Sequence, residues 1–188
     1  MTKTNPALLV MDIQNGIVSR YAEKPEALAP FQKSVEAARK AGIPVVFVRV
    51  AFRDGFPEVS SANKMFSAIK NQGGMTEAEW ATQIHESVAP RENEPLVTKR
   101  RVSAFTGSDL EVVLRARGIN ELILTGVATS GVVLSTLREA ADKDYYLKVL
   151  SDACIDGDPE VHRVLTEKVF PRQADVMTVD EWIFSVNE

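Results

Sequence analysis

Short, continuous apolar runs alternate along this chain with stretches in which apolar residues recur every three or four positions. Residues 7–12 (ALLVMD) form the first run, which is short and apolar up to its last position and so predicts a buried strand. Residues 26–41 follow with helical spacing at Leu28, Phe31, Val35 and Ala38. Pro30 fits the first turn of that helix, where a missing N–H costs little, and Gly42 offers a C-terminal stop. Residues 44–50 (PVVFVRV), 121–125 (ELILT), 146–150 and 175–179 predict further strands. Helices are expected over 109–117, near 130–143 and near 160–169. Strands apolar on both faces and separated by helices predict an α/β protein whose parallel sheet is covered on both sides. Such sheets bind ligands at the carboxyl ends of their strands, near the point where strand order reverses.

Residues 51–96 break the pattern. Gly55, Pro57, Gly73, Gly74, Pro90 and Pro95 punctuate them, and helical spacing is weak, near 60–70 and 76–88. A connection of this length in a compact domain is expected to be a functional loop or lid. No repeat, low-complexity tract or linker divides the chain, so a single domain over residues 1–188 is expected.

Composition narrows the function classes. Hydrophobic residues make up 45% and charged residues 26%, an ordinary globular balance. A net charge of −4, without a run of five like charges, argues against nucleic acid or a membrane surface as a partner. The apolar run 7–11 is too short for a signal-peptide core or a membrane span. Cys154 is the single cysteine, which excludes a disulfide framework and a thiolate metal cluster. A cytoplasmic protein is the expectation.

Three places carry candidate chemistry. Asp12 ends the first strand, where a poorly solvated carboxylate needs a partner or a proton; a turn-capping aspartate is the bland alternative. Lys99 opens the basic trio Lys99-Arg100-Arg101, whose plainest reading is a solvated cluster. Ser108 or Asp109 can cap the helix that follows, and Phe105 is a candidate core or pocket aromatic. Thr125-Gly126-Val127-Ala128-Thr129-Ser130-Gly131-Val132-Val133 joins a strand to a helix. Its amides can face a developing negative charge, or its glycines can serve packing alone. Neither a Walker-type lysine nor a GxGxxG is present there, which disfavours a phosphate loop.

Taken in order, Leu8-Leu9-Val10-Met11-Asp12-Ile13-Gln14-Asn15, then Lys99-x-Arg101-x-Ser103-Ala104-Phe105, then Gly126-Val127-Ala128-Thr129-Ser130-Gly131-Val132-Val133 resemble the isochorismatase-like hydrolase superfamily. Ser151-Asp152-Ala153-Cys154 resembles the segment after that family's fifth strand. The resemblance implies a three-layer α/β/α, Rossmann-like fold around a six-stranded parallel sheet, with no cofactor, and assembly as a dimer or tetramer. It implies Asp12 as the catalytic carboxylate and Lys99 as its cationic partner. Substrate-binding positions fall on Gln14, Phe52, Arg53, Arg101, Phe105, Val127, Ala128, Thr129, Ser130 and Gly131. A non-prolyl cis peptide is implied between Val127 and Ala128.

The family's nucleophilic cysteine falls on Val132. Valine has no lone pair and no proton, so covalent thioester chemistry at that position is excluded. Cys154 follows a different strand and reads as a small buried hydrophobe. Thr129 and Ser130 are nearby hydroxyls that would need a general base, and His85 and His162 fall in expected helices as solvated residues. Metal-binding relatives carry histidines after the second strand, whereas Ala51-Phe52-Arg53-Asp54-Gly55-Phe56 offers one aspartate, so no zinc site is expected. The remaining chemistry is a carboxyl group acting as general acid or base on a small anionic substrate, with Arg53 and Arg101 adding charge for its carboxylate. The resemblance, which includes isochorismatases, implies cleavage of a vinyl ether as the specific reaction. A pseudo-enzyme that binds a small molecule or a protein partner is the alternative.

Overall fold

The computed structural model describes residues 4–22 and 25–186, so the outermost residues of the domain expected over 1–188 lie outside the described residues. In chain order the elements are β1 (Pro6–Met11), α1 (Asn15–Tyr21), a 3-10 turn at Pro25–Leu28, α2 (Ala29–Lys40), β2 (Val45–Val50), α3 (Lys64–Gln72), β3 (Leu96–Lys99), α4 (Leu110–Ala116), β4 (Glu121–Val127), α5 (Leu134–Asp142), β5 (Tyr146–Ile155), α6 (Pro159–Val164), β6 (Asp175–Met177) and α7 (Val179–Val186). The six strands form one sheet in the order β3-β2-β1-β4-β5-β6, and every pairing is parallel. Strand order reverses between β1 and β4, the central pair. That is where a doubly wound sheet opens a crevice at its carboxyl edge.

Side chains alternate across the pleat and divide the core in two. Ala7, Leu9 and Met11 of β1 face Leu110 and Leu114 of α4 and Leu137 and Ala140 of α5. Leu8 and Val10 face Phe31, Val35 and Ala38 of α2 and Trp182 of α7. Both faces of the sheet are therefore covered, which is why β1, β2 and β4 are continuous apolar runs. In α2 the buried positions Phe31, Ser34, Val35 and Ala38 follow helical spacing, and Gly42 takes a left-handed φ of 69° just beyond its end.

Several boundaries differ from those read in the sequence, each for a local reason. The strand expected over 175–179 stops at Met177, and α7 begins at Val179. Thr178 and Glu181 hold each other's backbone amides in a capping box, Thr178 N–H to Glu181 Oε2 at 2.7 Å and Glu181 N–H to Thr178 Oγ1 at 3.2 Å. This places Trp182 in the core at 1% exposure, whereas Trp80 is 69% exposed. The stretch 76–88 is two 3-10 turns, Trp80–Thr82 and Glu86–Val88, because the Thr82 hydroxyl and the Gln83 carboxamide bond the carbonyls of Glu77 and Glu79. The weak helix near 60–70 is α3, capped by Asn63, whose side chain accepts from Phe66 N–H. Expected as a helix from Ser130, the chain instead makes a widened turn over Thr129–Val133, non-helical at Gly131, before α5. Finally, β3 and α1 form elements where the periodicity had marked none.

Candidate active site

Asp12 stands immediately beyond β1 at the switch point. Its φ is 59°, a left-handed conformation that costs a non-glycine residue on the order of 1 kcal/mol and that aspartate tolerates better than most. Its N–H donates to Val48 O at 2.8 Å, extending the β1–β2 pairing by one residue. Lys99 ends β3, one strand further out, and its side chain crosses the end of β2. There Lys99 Nζ lies 3.0 Å from Asp12 Oδ2 and donates to Arg101 O, also at 3.0 Å. The lysine and aspartate side chains are 2% and 6% exposed, so the solvated-cluster reading of Lys99 does not hold.

The two oxygens of Asp12 are unequal. Oδ2 faces the ammonium, while Oδ1 is buried with no hydrogen-bond partner. Burial pushes the Asp12 carboxyl pKa up, and the charge and hydrogen bond of Lys99 pull it partly back, leaving it raised. A proton on Oδ1 would remove the charge that burial penalises and leave Oδ2 on Lys99.

The third component is the strand-to-helix turn. The Val127–Ala128 peptide is cis. Gly126 leaves no room for a side chain, since an added Cβ would lie 2.8 Å from Met11 O and 3.3 Å from Val132 Cγ1. Ser130 N–H donates to Asp156 Oδ2 at 2.7 Å, and the Gly131 and Val133 amides donate to Ala128 O. Three amides of the turn are thus spent within the protein rather than held open for an anion. Asp156 is pushed up by burial but ends below the ordinary carboxylate range, because the hydroxyl and backbone of Ser130 and the amides of Gly157 and Asp158 all hydrogen-bond it.

Asp12, Lys99, Val127, Ala128, Gly131 and Val132 line a single pocket of about 380 Å³. The other sequence-expected binding residues do not line it. Gln14 is fully buried and ties β2 to the 80–82 turn, donating to Val50 O and Thr82 O and accepting from Val50 N–H. Phe52 packs inside a cluster with Phe56 and Phe66 that seats α3. Arg53 pairs with Glu58, and Arg101 donates to the carbonyls of Arg100 and Glu58 with its guanidinium 5.9 Å from the centre of the Phe66 ring. Phe105 packs in the core against Tyr145. The buried Thr129 hydroxyl meets His162 Nδ1 at 2.8 Å, and exposed Ser130 points out of the pocket lining. His85 caps the Glu86–Val88 turn.

The remaining walls come from α1, which the sequence did not mark, and from the 51–96 stretch expected to be a functional loop. α1 supplies Gly16, Ile17, Arg20 and Tyr21, and α3 with the turn after it supplies Met65, Phe66, Ile69 and Gly73 to Met75. Ile17, Val18 and Tyr21 do have helical spacing, but over only seven residues. Cys154 is buried beside Gly126 and its thiol is pushed up to about 12 by desolvation, so it offers no thiolate at neutral pH. Among the described residues, no three His, Cys, Asp or Glu side chains gather into a metal-sized cluster, and no helix is long and apolar enough to cross a bilayer.

Comparison with known proteins agrees with this architecture. Residues 6–181 match the model of the isochorismatase domain. The chain is 35% identical over 182 residues to the uncharacterized isochorismatase family protein YwoC of Bacillus subtilis (strain 168), covering 96% of this chain and 93% of that one. It is 30% identical over 213 residues to the ureidoacrylate amidohydrolase RutB of Stutzerimonas stutzeri (strain A1501), covering 100% and 82%. Among solved structures, an isochorismatase family protein from Burkholderia thailandensis superposes with a TM-score of 0.86 at 26% identity, over 100% of this chain and 98% of the other.

Proposed function

The chain belongs to the isochorismatase family of hydrolases, and from that premise we propose that it cleaves a small anionic substrate by proton transfer at Asp12, without a covalent intermediate. One observation carries this reading. Asp12 has one oxygen on Lys99 and the other orphaned, within a carboxyl whose pKa is raised by burial. Such a group keeps its proton to higher pH and can give it to a substrate, which is how a general acid is made from an ordinary carboxyl. Val132 supplies no nucleophile, so water must complete the reaction.

A vinyl ether suits that equipment best. Asp12 gives its proton to the terminal alkene carbon, and the neighbouring carbon becomes an oxocarbenium ion. Water adds to that carbon and returns a proton to the ionised Asp12. The hemiketal then breaks its bond to the leaving oxygen, which takes the proton, releasing a ketone and an alcohol. Lys99 orients the carboxyl through Oδ2 and adds positive charge that favours an anionic substrate. In this reading the protein is a cytoplasmic homo-oligomer, a dimer or tetramer of one catalytic domain, with exposed Trp80 available to an interface.

Similarity to the ureidoacrylate amidohydrolase favours a second reaction class, hydrolysis of a carbamoyl amide, with ionised Asp12 acting as base on water. The experiment is to assay pyruvate release from isochorismate and carbamoyl loss from ureidoacrylate, by wild type and by Asp12→Asn. The expected result is pyruvate release by wild type, reduced at least about 100-fold in Asp12→Asn, a typical contribution of general acid catalysis. Carbamoyl loss alone would favour the amidase reading. Undiminished turnover by Asp12→Asn, or none by wild type on either substrate, would overturn the role of Asp12.

A further inference from the structure

The pocket walls are mostly apolar: Ile17, Val50, Phe66, Met75, Val102 and Val132 all face it. Among the described residues, its charged lining residues are Asp12, Lys99 and Arg20. At the inner end Lys99 lies 3.0 Å from Asp12, and Arg20 places a second cation on the exposed side of the pocket. The two arginines that sequence alone offered as anion readers are committed elsewhere, Arg53 to Glu58 and Arg101 to the carbonyls of Arg100 and Glu58. By contrast, no ion pair or hydrogen bond engages the Arg20 guanidinium among the described residues, and its side chain is exposed at the pocket mouth.

The position of Arg20 is fixed by its helix. In α1, Gly16 and Arg20 are four apart, as are Ile17 and Tyr21, so all four share one face. Gly16 lets that face sit hard against the 80–82 turn, since an added Cβ would lie 2.8 Å from Ala81 Cβ. Arg20 stands one helical turn, about 6 Å, beyond Gly16. Next to it Tyr21 also lines the pocket, with its ring 3.5 Å from where a Cβ on Gly157 would lie. A guanidinium and a phenol thus stand side by side on the rim, separated by apolar wall from the Asp12 carboxyl.

We propose that Arg20 is the carboxylate-reading residue of this pocket, selecting small substrates that hold an anionic group and the scissile bond at opposite ends of an apolar or unsaturated body. A guanidinium presents paired donors to a carboxylate, and at the mouth of an apolar pocket water competes less well for them. The assignment deepens the proposed hydrolase and shares its pocket, but its test does not depend on turnover.

The test is calorimetric titration of wild type, Arg20→Met, Arg20→Lys and Asp12→Asn with benzoate, an apolar body bearing one carboxylate, and with its neutral counterpart benzamide. Wild type is expected to prefer benzoate. Arg20→Met should lose roughly tenfold or more in benzoate affinity, the usual worth of a charged hydrogen bond, with benzamide affinity unchanged. Arg20→Lys should recover part of the loss, and Asp12→Asn should keep the preference. Equal benzoate affinity in wild type and Arg20→Met, or no preference for benzoate in wild type, overturns the assignment. If wild type prefers benzoate through Arg20 yet turns over neither isochorismate nor ureidoacrylate, the proposed chemistry fails and the assignment of Arg20 stands.

Discussion

Asp12 and Lys99 form a buried ion pair whose members cannot be removed singly at low cost. Taking away one partner of such a pair typically costs about 3–5 kcal/mol, because the other is left charged and unsolvated, although here Asp12 can take up a proton instead. Val132, where the family resemblance places the nucleophilic cysteine, lines the same pocket. Val132→Cys tests whether the surroundings would still support a reactive thiol. Cys154, pushed up to about 12, has a thiolate fraction at pH 7 on the order of one in 10⁵, so the folded wild type should not react with iodoacetamide. Val132→Cys should gain one reactive thiol in the folded state, read by intact mass. Labelling of wild type at the same rate would contradict this account of both positions. Asp12 was legible because it closes a buried apolar run at the carboxyl edge of the sheet, whereas Lys99 stood out only through the family resemblance, its own basic neighbours reading as a solvated cluster. Gln14, Phe52, Arg53, Arg101 and Phe105 were named from local motifs, which cannot tell a side chain that faces the pocket from one that braces the segment beneath it.

At the scale of elements, the strands apolar on both faces were legible and the edges were not. β1, β2 and β4 lie inside the sheet and read as unbroken apolar runs. β3 is four residues long at an edge, with Leu96 exposed and Lys99 turned into the site, so no pattern marks it. α1 is seven residues, too short for periodicity to carry it. The contact between β1 and β4 depends on Gly126, which pairs with Met11 and has no room for a Cβ. The obstacle is largely backbone, so Gly126→Ala must push β4 and the turn away from Met11, and with it Asp12. A loss of about 1–3 kcal/mol is expected from such overpacking, measured as a lower urea midpoint at unchanged slope, together with reduced turnover. An unchanged midpoint would contradict the close packing of this junction.

The whole molecule sets the behaviour of Asp12. Two core layers cover both faces of the sheet, α1 and α3 close the pocket above its carboxyl edge, and the resulting burial raises the Asp12 pKa against the pull of Lys99. The doubly covered sheet was legible from the alternation of runs. The stretch 51–96 was legible as a functional loop and does line the pocket, but which of its side chains face inward was not, and the wall from α1 was missed because that helix is short and its partners are distant in sequence. Because folding raises this pKa, the proton stays on Asp12 through the ordinary aspartate range and is lost only as pH climbs through the raised value. General acid catalysis must therefore be intact below that value and fall above it. Lys99→Met removes the group that lowers the pKa and must move the fall to still higher pH.

The most direct measurement is the pH dependence of kcat/KM for pyruvate release from isochorismate, which reports ionisations of the free enzyme. The account predicts a descending limb above the usual aspartate range in wild type, displaced upward in Lys99→Met and absent with the activity in Asp12→Asn. A rate that rises with pH through the same range, or a limb that moves downward when Lys99 is removed, would contradict it.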